Sequence, residues 1–372
     1  APHSGQRRSF ASAVHSYAAA ALSTASHPNS ADAGGVRFRG PMSGLPLSVV
    51  MPVHNESAHL AATIDALVGA LEGTGFDAEL VLVDDGSTDG SADAARSAAA
   101  GRIPLRVLTQ SNRGRLEARR AGITAAADLV LLLDARVRVL AGALRFVHGR
   151  VERGENVWNG HVLIEAEDDL GVFWRLLAEL AWRDYFDRPR TTSFGVEEFD
   201  RFPKGTTCFL APRDLLLWAL GQCRTRYRDP LLANDDTPIL RALAGHRRIG
   251  ISPLFACVYT PRATPGSFFL HAVHRGTVFL DGHGTPDSRF FPAVAAFFPS
   301  SAALLAAALR RPLLAPLALV ACGLAAAAYG AYAGRAWREI RALALVTPPY
   351  AVGHGLGMWR GAFELVRGHL AA

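Results

Sequence analysis

From Pro46 onward, apolar and polar positions follow two rhythms. LSVVMPV (47–53), ELVLVDD (79–85), PLRVL (104–108) and DLVLLLD (128–134) are short, nearly continuous apolar runs of the kind strands show when both faces are buried. Between the first two, Leu60, Ile64, Leu67, Val68 and Leu71 fall at helical spacing, and Gly73 supplies a stop. With runs about 25–30 residues apart, the pattern predicts a βαβαβαβ series, an α/β domain whose mostly parallel sheet is covered on both faces. Ligands of such sheets bind beyond the carboxyl ends of the strands, so the residues just after each run are the candidates for function.

The pattern changes further on. Residues 140–230 are mixed and rich in aromatics, and LGVFWRLLAELAWRDYF (170–186) predicts an amphipathic helix. PLLAPLALVACGLAAAAYGAYA (312–333) carries no charge and is long enough to cross a hydrocarbon core of about 30 Å. The stretches 291–309 and 342–358 are weaker, shorter or interrupted by proline, so one clear span is expected, with the others spanning, re-entrant or interfacial. Residues 1–43, rich in Ala, Ser and Gly, predict a poorly ordered arm.

Composition sharpens this division. Hydrophobic residues make up 50% of the 372 positions, above the soluble average, which agrees with a membrane portion. The net charge of +6 comes with no basic run and no aromatic-rich basic stripe, so phosphate or a membrane surface is expected as the anionic partner, and nucleic acid is not. Cys208, Cys223, Cys257 and Cys322 show no C-x-x-C spacing, which argues against both a zinc site and a disulfide framework.

The strand ends carry the chemistry. MPVHNE (51–56), VDDGSTDGS (83–91), NRGRLEARRAGI (112–123), LLLDAR (131–136) and ANDDTPILRALAGHRRIGISP (233–253) occur in that order, and together they resemble the family 2 glycosyltransferases, inverting enzymes with the GT-A fold. The resemblance covers residues 46–262 and implies a Rossmann-like catalytic domain (44–262), an interfacial or gating segment (263–290) and membrane-associated C-terminal helices (291–372). It further implies a UDP- or GDP-type nucleotide-sugar donor, a lipid-linked or glycan acceptor, and attachment to the cell membrane with the catalytic domain on the cytoplasmic side. A strand-end carboxylate accepts hydrogen bonds from nucleobase N–H or ribose hydroxyl groups. Glu56 and Asp85 are thereby candidate nucleotide contacts, the resemblance adds Pro52, and Asp84 is expected to order the turn. Asp, Gly and Ser are also what an ordinary turn and helix cap would use there. Of Arg113, Arg115 and Arg119, each able to approach a diphosphate near a helix start, Arg115 is the choice; a solvated basic face is the alternative.

Inverting transfer needs a base for the acceptor proton. By resemblance to the family's Glu-Asp pair, Asp236 matches that base, and Asp235 stands where Glu is usual. Capping of the following helix by either Asp is the competing reading. Gly205 and Thr206 lie in a segment resembling the acceptor border, and His274 and Arg275 in the place of the family's interfacial segment, whose usual Q/R-x-x-R-W is missing.

Family members end the fourth strand with D-x-D, whose last acid helps hold Mg2+ or Mn2+. Here the residues are Asp134, Ala135 and Arg136. A hard cation wants anionic oxygens, and a guanidinium repels it. Three readings stay open: Arg136 is the counter-charge for the diphosphate; Asp134 holds a metal while Arg136 pairs with a neighbour such as Glu165; or the site has lost activity and serves as a nucleotide- or glycan-binding module in regulation or assembly. A nucleotide-dependent oxidoreductase is disfavoured, because no G-x-G-x-x-G follows the first strand.

Overall fold

The structure, a computed structural model, describes residues 44–370 apart from Arg224, Asp235, Ala263 and Asp287. The expected arm 1–43 and the candidate Asp235 therefore lie outside the described residues. The chain divides into two compact units. One takes in the described residues up to Leu163 with Asp187–Gln222 and Ile239–Thr260, and the other takes in Ile164–Phe186, Cys223–Pro238 and the chain from Pro261 onward.

The first unit is organised by a sheet of nine strands among the described residues: β1 Leu45–Val53, β2 Phe76–Asp85, β3 Leu105–Gln110, β4 Leu129–Leu133, β5 Val137–Val139, β6 Trp158–Ile164, β7 Thr192–Phe194, β8 Cys208–Pro212 and β9 Ile249–Tyr259. Their order is β3-β2-β1-β4-β8-β6-β9-β5, with β7 paired to β9. β1 runs parallel to β2 and β4, and β2 to β3. The other half turns antiparallel, β8 against β4 and β6, and β5 and β7 against β9. The four apolar runs are thus the parallel half, and the sheet is mixed α/β.

Successive strand residues point to opposite faces. Val49, Val50, Leu80, Val81, Leu82 and Val83 are all fully buried, so both faces must be covered. The helix Ser57–Leu71 covers one face through Leu60, Ile64 and Leu67. On the other, the helix Arg115–Thr124 approaches β1 and β2 so closely that a Cβ on Gly122 would overlap Val50 and lie 3.0 Å from Val83 Cγ2. Gly122→Ala is expected to cost about 1–3 kcal/mol by overpacking, read as a lower midpoint in urea unfolding. An unchanged midpoint would mean that this helix can shift without loss.

The second unit is helical. Phe291–Arg310 and Leu314–Tyr332 are both long and apolar enough to cross a membrane, with mean hydropathies of 1.7 and 1.8, and little of either is buried. Leu314–Tyr332 is the clear span expected, and the weaker stretch 291–309 also forms a helix of spanning length, with Pro299 inside it. The weak stretch 342–358 belongs to one long helix, Trp337–Leu370. That helix meets Pro265–His283 where glycines face each other: a Cβ on Gly276 would overlap the His354 carbonyl, and one on Gly357 the Val273 carbonyl. Thr277 Oγ1 donates to the Gly357 carbonyl at 3.0 Å in the same place, a crossing that small residues allow. Just past Tyr332, Arg175 reaches Glu179 and Glu339 at 2.8 Å each, and Arg335 reaches Glu179 at 2.5 Å. These four charges join the helix Asp169–Ala181 to the start of Trp337–Leu370.

Candidate active site

Three loops leave the carboxyl ends of β1, β2 and β3, and side chains lace them together. Asn55 takes a left-handed conformation, φ 55°, which Asn tolerates better than most residues. Its backbone N–H donates to Ser87 Oγ at 3.1 Å, and its Oδ1 accepts from Thr88 N at 2.8 Å. Glu56 N donates to Ser91 Oγ at 2.9 Å. Asp89 joins two helix starts: Oδ2 accepts from Ser57 N at 2.9 Å, and Oδ1 from Ser91 N at 3.0 Å. Desolvation pulls the Asp89 carboxyl up, but the hydrogen bonds from Ser91 and Ser57 outweigh it and hold the group at about 2. VDDGSTDGS is therefore more than a turn, since its third acid fastens the loop after β1.

Asp84 and Asp85 divide the remaining work. Asp84 Oδ1 accepts from Ser87 N at 2.9 Å and orders the turn. Asp85, 4% exposed, gathers the third loop: Oδ1 accepts from Gln110 Nε2 at 2.7 Å and Arg113 N at 2.8 Å, and Oδ2 from Gly114 N at 2.9 Å. His54 Nδ1 lies 2.9 Å from the Asp85 carbonyl. A carbonyl only accepts, so Nδ1 carries the proton and Nε2 faces the amides of Asn55 and Asn112, each at 3.3 Å. Pro52 lies in β1, opposite Val83 of β2.

The end of β4 holds two ion pairs. Asp134 Oδ1 meets Arg119 Nη2 at 2.9 Å, and this Arg is only 1% exposed. Arg136 Nε meets Glu56 Oε2 at 2.8 Å, across 80 residues of sequence, with both side chains largely buried. The neighbour that Arg136 finds is thus Glu56 and not the Glu165 suggested by sequence. Main-chain bonds fix the corner: Asp134 N donates to the Thr207 carbonyl at 3.0 Å, and Thr63 Oγ1 to the Ala135 carbonyl at 2.7 Å. Gly205 N donates to Asn159 Oδ1 at 3.1 Å beside the fully buried Thr206. Arg115 is exposed at the first position of its helix.

The sequence reading passed over Arg119 in favour of Arg115. A signal was available, because Leu116, Arg119 and Ile123 fall at helical spacing on the buried face. His54, Asn55 and Gln110 carry no motif role in the sequence, yet with Asn112 they bind the loops to one another.

Asp236, His274 and Arg275 belong to the second unit. At the start of the helix Thr237–His246, Asn234 Oδ1 accepts from Asp236 N at 3.1 Å and from Thr237 N at 3.0 Å. Arg275 stacks over Trp174, 5.1 Å from the ring centroid, and Trp174 also meets His271. Among the described residues, no three His, Cys, Asp or Glu side chains converge as a metal cluster. Among the described residues, none of the four cysteines is in a disulfide.

Residues 48–200 match the family model described as Glycosyl transferase family 2. Over 92 residues the chain is 44% identical to the undecaprenyl-phosphate 4-deoxy-4-formamido-L-arabinose transferase of Aeromonas hydrophila subsp. hydrophila and 41% identical to that of Edwardsiella ictaluri. Each match covers 24% of this chain and 28% of the relative, so the chain spans little more than a quarter of those relatives' length. Among solved structures, the mannosyltransferase from Pyrobaculum calidifontis in complex with GDP-Man and Mn2+ superposes with a TM-score of 0.51 over 94% of this chain and 96% of that one, at 19% identity, a likeness of fold. The motif order, the sheet and the matched family model agree on a family 2 glycosyltransferase domain over residues 48–200, and the fold is GT-A-like.

Proposed function

We propose that the protein is an inverting glycosyltransferase that moves a sugar from a UDP- or GDP-type nucleotide sugar to a lipid-linked or glycan acceptor at a membrane, in cell-envelope or exopolysaccharide synthesis. The observation that carries this reading is the set of three laced loops beyond β1, β2 and β3, with the Glu56–Arg136 and Arg119–Asp134 pairs beside them. A carboxylate has about four lone-pair directions, and Asp85 uses three within the protein, which leaves one for a nucleobase N–H. Pro52 and Glu56 complete the nucleotide side, and Asp84 keeps the turn in shape. The names of the relatives matched over 92 residues and the two apolar helices support a membrane-bound acceptor; in this reading the catalytic domain faces the cytoplasm.

In this mechanism the acceptor oxygen attacks the anomeric carbon in line, and nucleoside diphosphate departs on the opposite side. Asp236 takes the acceptor proton, with Asp235 as its neighbour, and Gly205 and Thr206 border the acceptor. His274 and Arg275 belong to an interfacial segment. Arg136 and Arg115 carry counter-charge for the leaving diphosphate, Arg136 through a planar fork suited to two phosphate oxygens.

Mg2+ or Mn2+ is the usual partner of a nucleotide diphosphate, and Mn2+ accompanies GDP-Man in the Pyrobaculum protein. The donor set here fits such an ion poorly. Asp134 is the one acid at the strand end, its Oδ1 is already held by Arg119, and the next polar side chain is a guanidinium. The experiment is transfer from UDP-GlcNAc and GDP-Man to undecaprenyl phosphate in detergent micelles, with and without EDTA. Turnover is expected to persist in EDTA; its abolition would return the diphosphate to a metal. The same pairs also favour a second reading, in which neutralised charges leave a site that binds nucleotide for regulation or assembly. Binding of UDP or GDP with no transfer to any acceptor would select it.

A further inference from the structure

We propose that Asp281 and Asn234 are positioning residues for Asp236, and that the helix Pro265–His283 thereby sets the placement of the base. The inference rests on Asp236 being that base. All the contacts that support it lie within the second unit.

Asp281 is 8% exposed and lies near the end of the helix Pro265–His283. Its carboxylate gathers three donors from a segment about 50 residues earlier in the chain: Oδ1 accepts from Arg226 N at 2.9 Å, and Oδ2 from Thr225 Oγ1 at 3.1 Å and Asn234 N at 2.9 Å. Both ends of the 225–234 loop are thus held by one side chain. Tyr227 adds a second hold, its hydroxyl donating to the Thr277 carbonyl on the same helix at 2.8 Å. Burial, and then the charge of Asp281, push the Tyr227 phenol up, so it stays a donor.

Asn234 passes this placement on. Its Nδ2 donates to the Val278 carbonyl at 3.2 Å, one turn before Asp281, which fixes the side-chain amide. The same amide then accepts from Asp236 N and Thr237 N. The backbone of Asp236 is therefore set by an Asn side chain that is itself fixed at two points on the helix. Gly282 leaves room for it, because a Cβ there would overlap Asn234 Nδ2. Asn fits this role fully, and Asp only in part. It must donate to a carbonyl and accept from two N–H groups at once, and an ionised Asp only accepts.

The chain that runs on from this helix leads directly to Phe291–Arg310, the first candidate membrane span. Base placement is thereby tied to the element that precedes the membrane helices in sequence. Misplacing a catalytic group by about 1 Å can cost on the order of 100-fold in rate.

The test uses the full chain in detergent micelles, with UDP-GlcNAc or GDP-Man as donor and an alkyl glucoside as hydroxyl acceptor, whose proton must be taken by a base. Asp281→Asn and Asn234→Ala are each expected to lower kcat about 10–100-fold, with donor KM and UDP or GDP affinity unchanged. Asn234→Asp keeps the oxygen that caps Asp236 and Thr237 and is expected to lose only about two- to threefold. In an Asp236→Asn background, Asp281→Asn is expected to cost nothing further, because it acts through the group already removed. A merely structural role would lower kcat equally in both backgrounds, and that result overturns the proposal, as does wild-type kcat in Asp281→Asn. If Asp281→Asn does not fold, the contrast between the two Asn234 variants decides, with equal losses in both counting against it. Wild-type kcat in Asp236→Asn alone would instead remove the base reading, and the positioning role with it.

Discussion

Asp236→Asn is expected to lower kcat by about 100- to 10,000-fold with a hydroxyl acceptor, while leaving UDP and GDP affinity unchanged. An amide is nearly the same size and keeps one acceptor oxygen, but it takes no proton. Asn234 keeps its bonds to Asp236 N and Thr237 N in the variant, so any loss of stability is expected to stay within that of one helix cap, about 0.5–2 kcal/mol. Acceptor chemistry changes the pH dependence. A phosphate monoester has a second pKa near 6, so a lipid phosphate is largely its own anion at pH 8 and needs no base. With undecaprenyl phosphate the deficit should therefore shrink as pH rises from 6 to 8; with a hydroxyl acceptor it should not. Steady-state rates at both pH values distinguish the two, and undiminished rates at both would remove Asp236 from the chemistry.

The second large effect is expected at Arg136. Arg136→Ala should reduce kcat by about 100- to 1,000-fold, the usual cost of losing a group that meets transition-state charge. It should also weaken UDP binding, because Glu56 then faces the diphosphate without its partner. Arg136→Lys keeps the charge and loses the planar fork, so an intermediate loss of about tenfold is expected. Arg136→Asp is the most informative variant. It places a second acid two residues after Asp134, and the remaining activity should become EDTA-sensitive and respond to added Mn2+. If neither the rate nor the metal response changes, Arg136 does not meet the diphosphate.

The parallel half of the fold was legible because each strand is buried on both faces and reads as one apolar run. The first, 47–53, matches β1 to within two residues, and the fourth, 128–134, contains β4. The antiparallel half was not. β5 and β7 are three residues each, and β6 lies in an aromatic stretch whose periodicity fits either element. Their identity depends on partners far along the chain: Val137 pairs with Tyr259, and Thr192 with Ile251.

At the site, the sequence pointed to residue types and positions but not to who meets whom. Arg136 was conspicuous as the departure from D-x-D, yet its partner lies 80 residues earlier. Asp85 stood out as a strand-end acid, and its three bonds to the 110–114 loop follow only from β2 and β3 lying side by side. Asn234 was hidden by its neighbours, since two consecutive Asp residues drew the capping role. Asp281 carried no motif at all, and a single acid in an apolar helix has meaning only through the loop that folds onto it.

If Leu314–Tyr332 crosses the membrane as proposed, the network of Arg175, Glu179, Arg335 and Glu339 bears on the lipid itself. Leu314–Tyr332 has 19 residues and so rises about 28 Å, slightly less than an average hydrocarbon core. An unpaired Arg at its end could snorkel to follow the headgroups of a thicker bilayer, but Arg335 is held by Glu179 and is 6% exposed. That end of the helix has a fixed waterline. In a bilayer with longer acyl chains, the accommodation falls to the lipids, which must thin around the protein, and acyl-chain length becomes a variable of its environment alongside donor and acceptor.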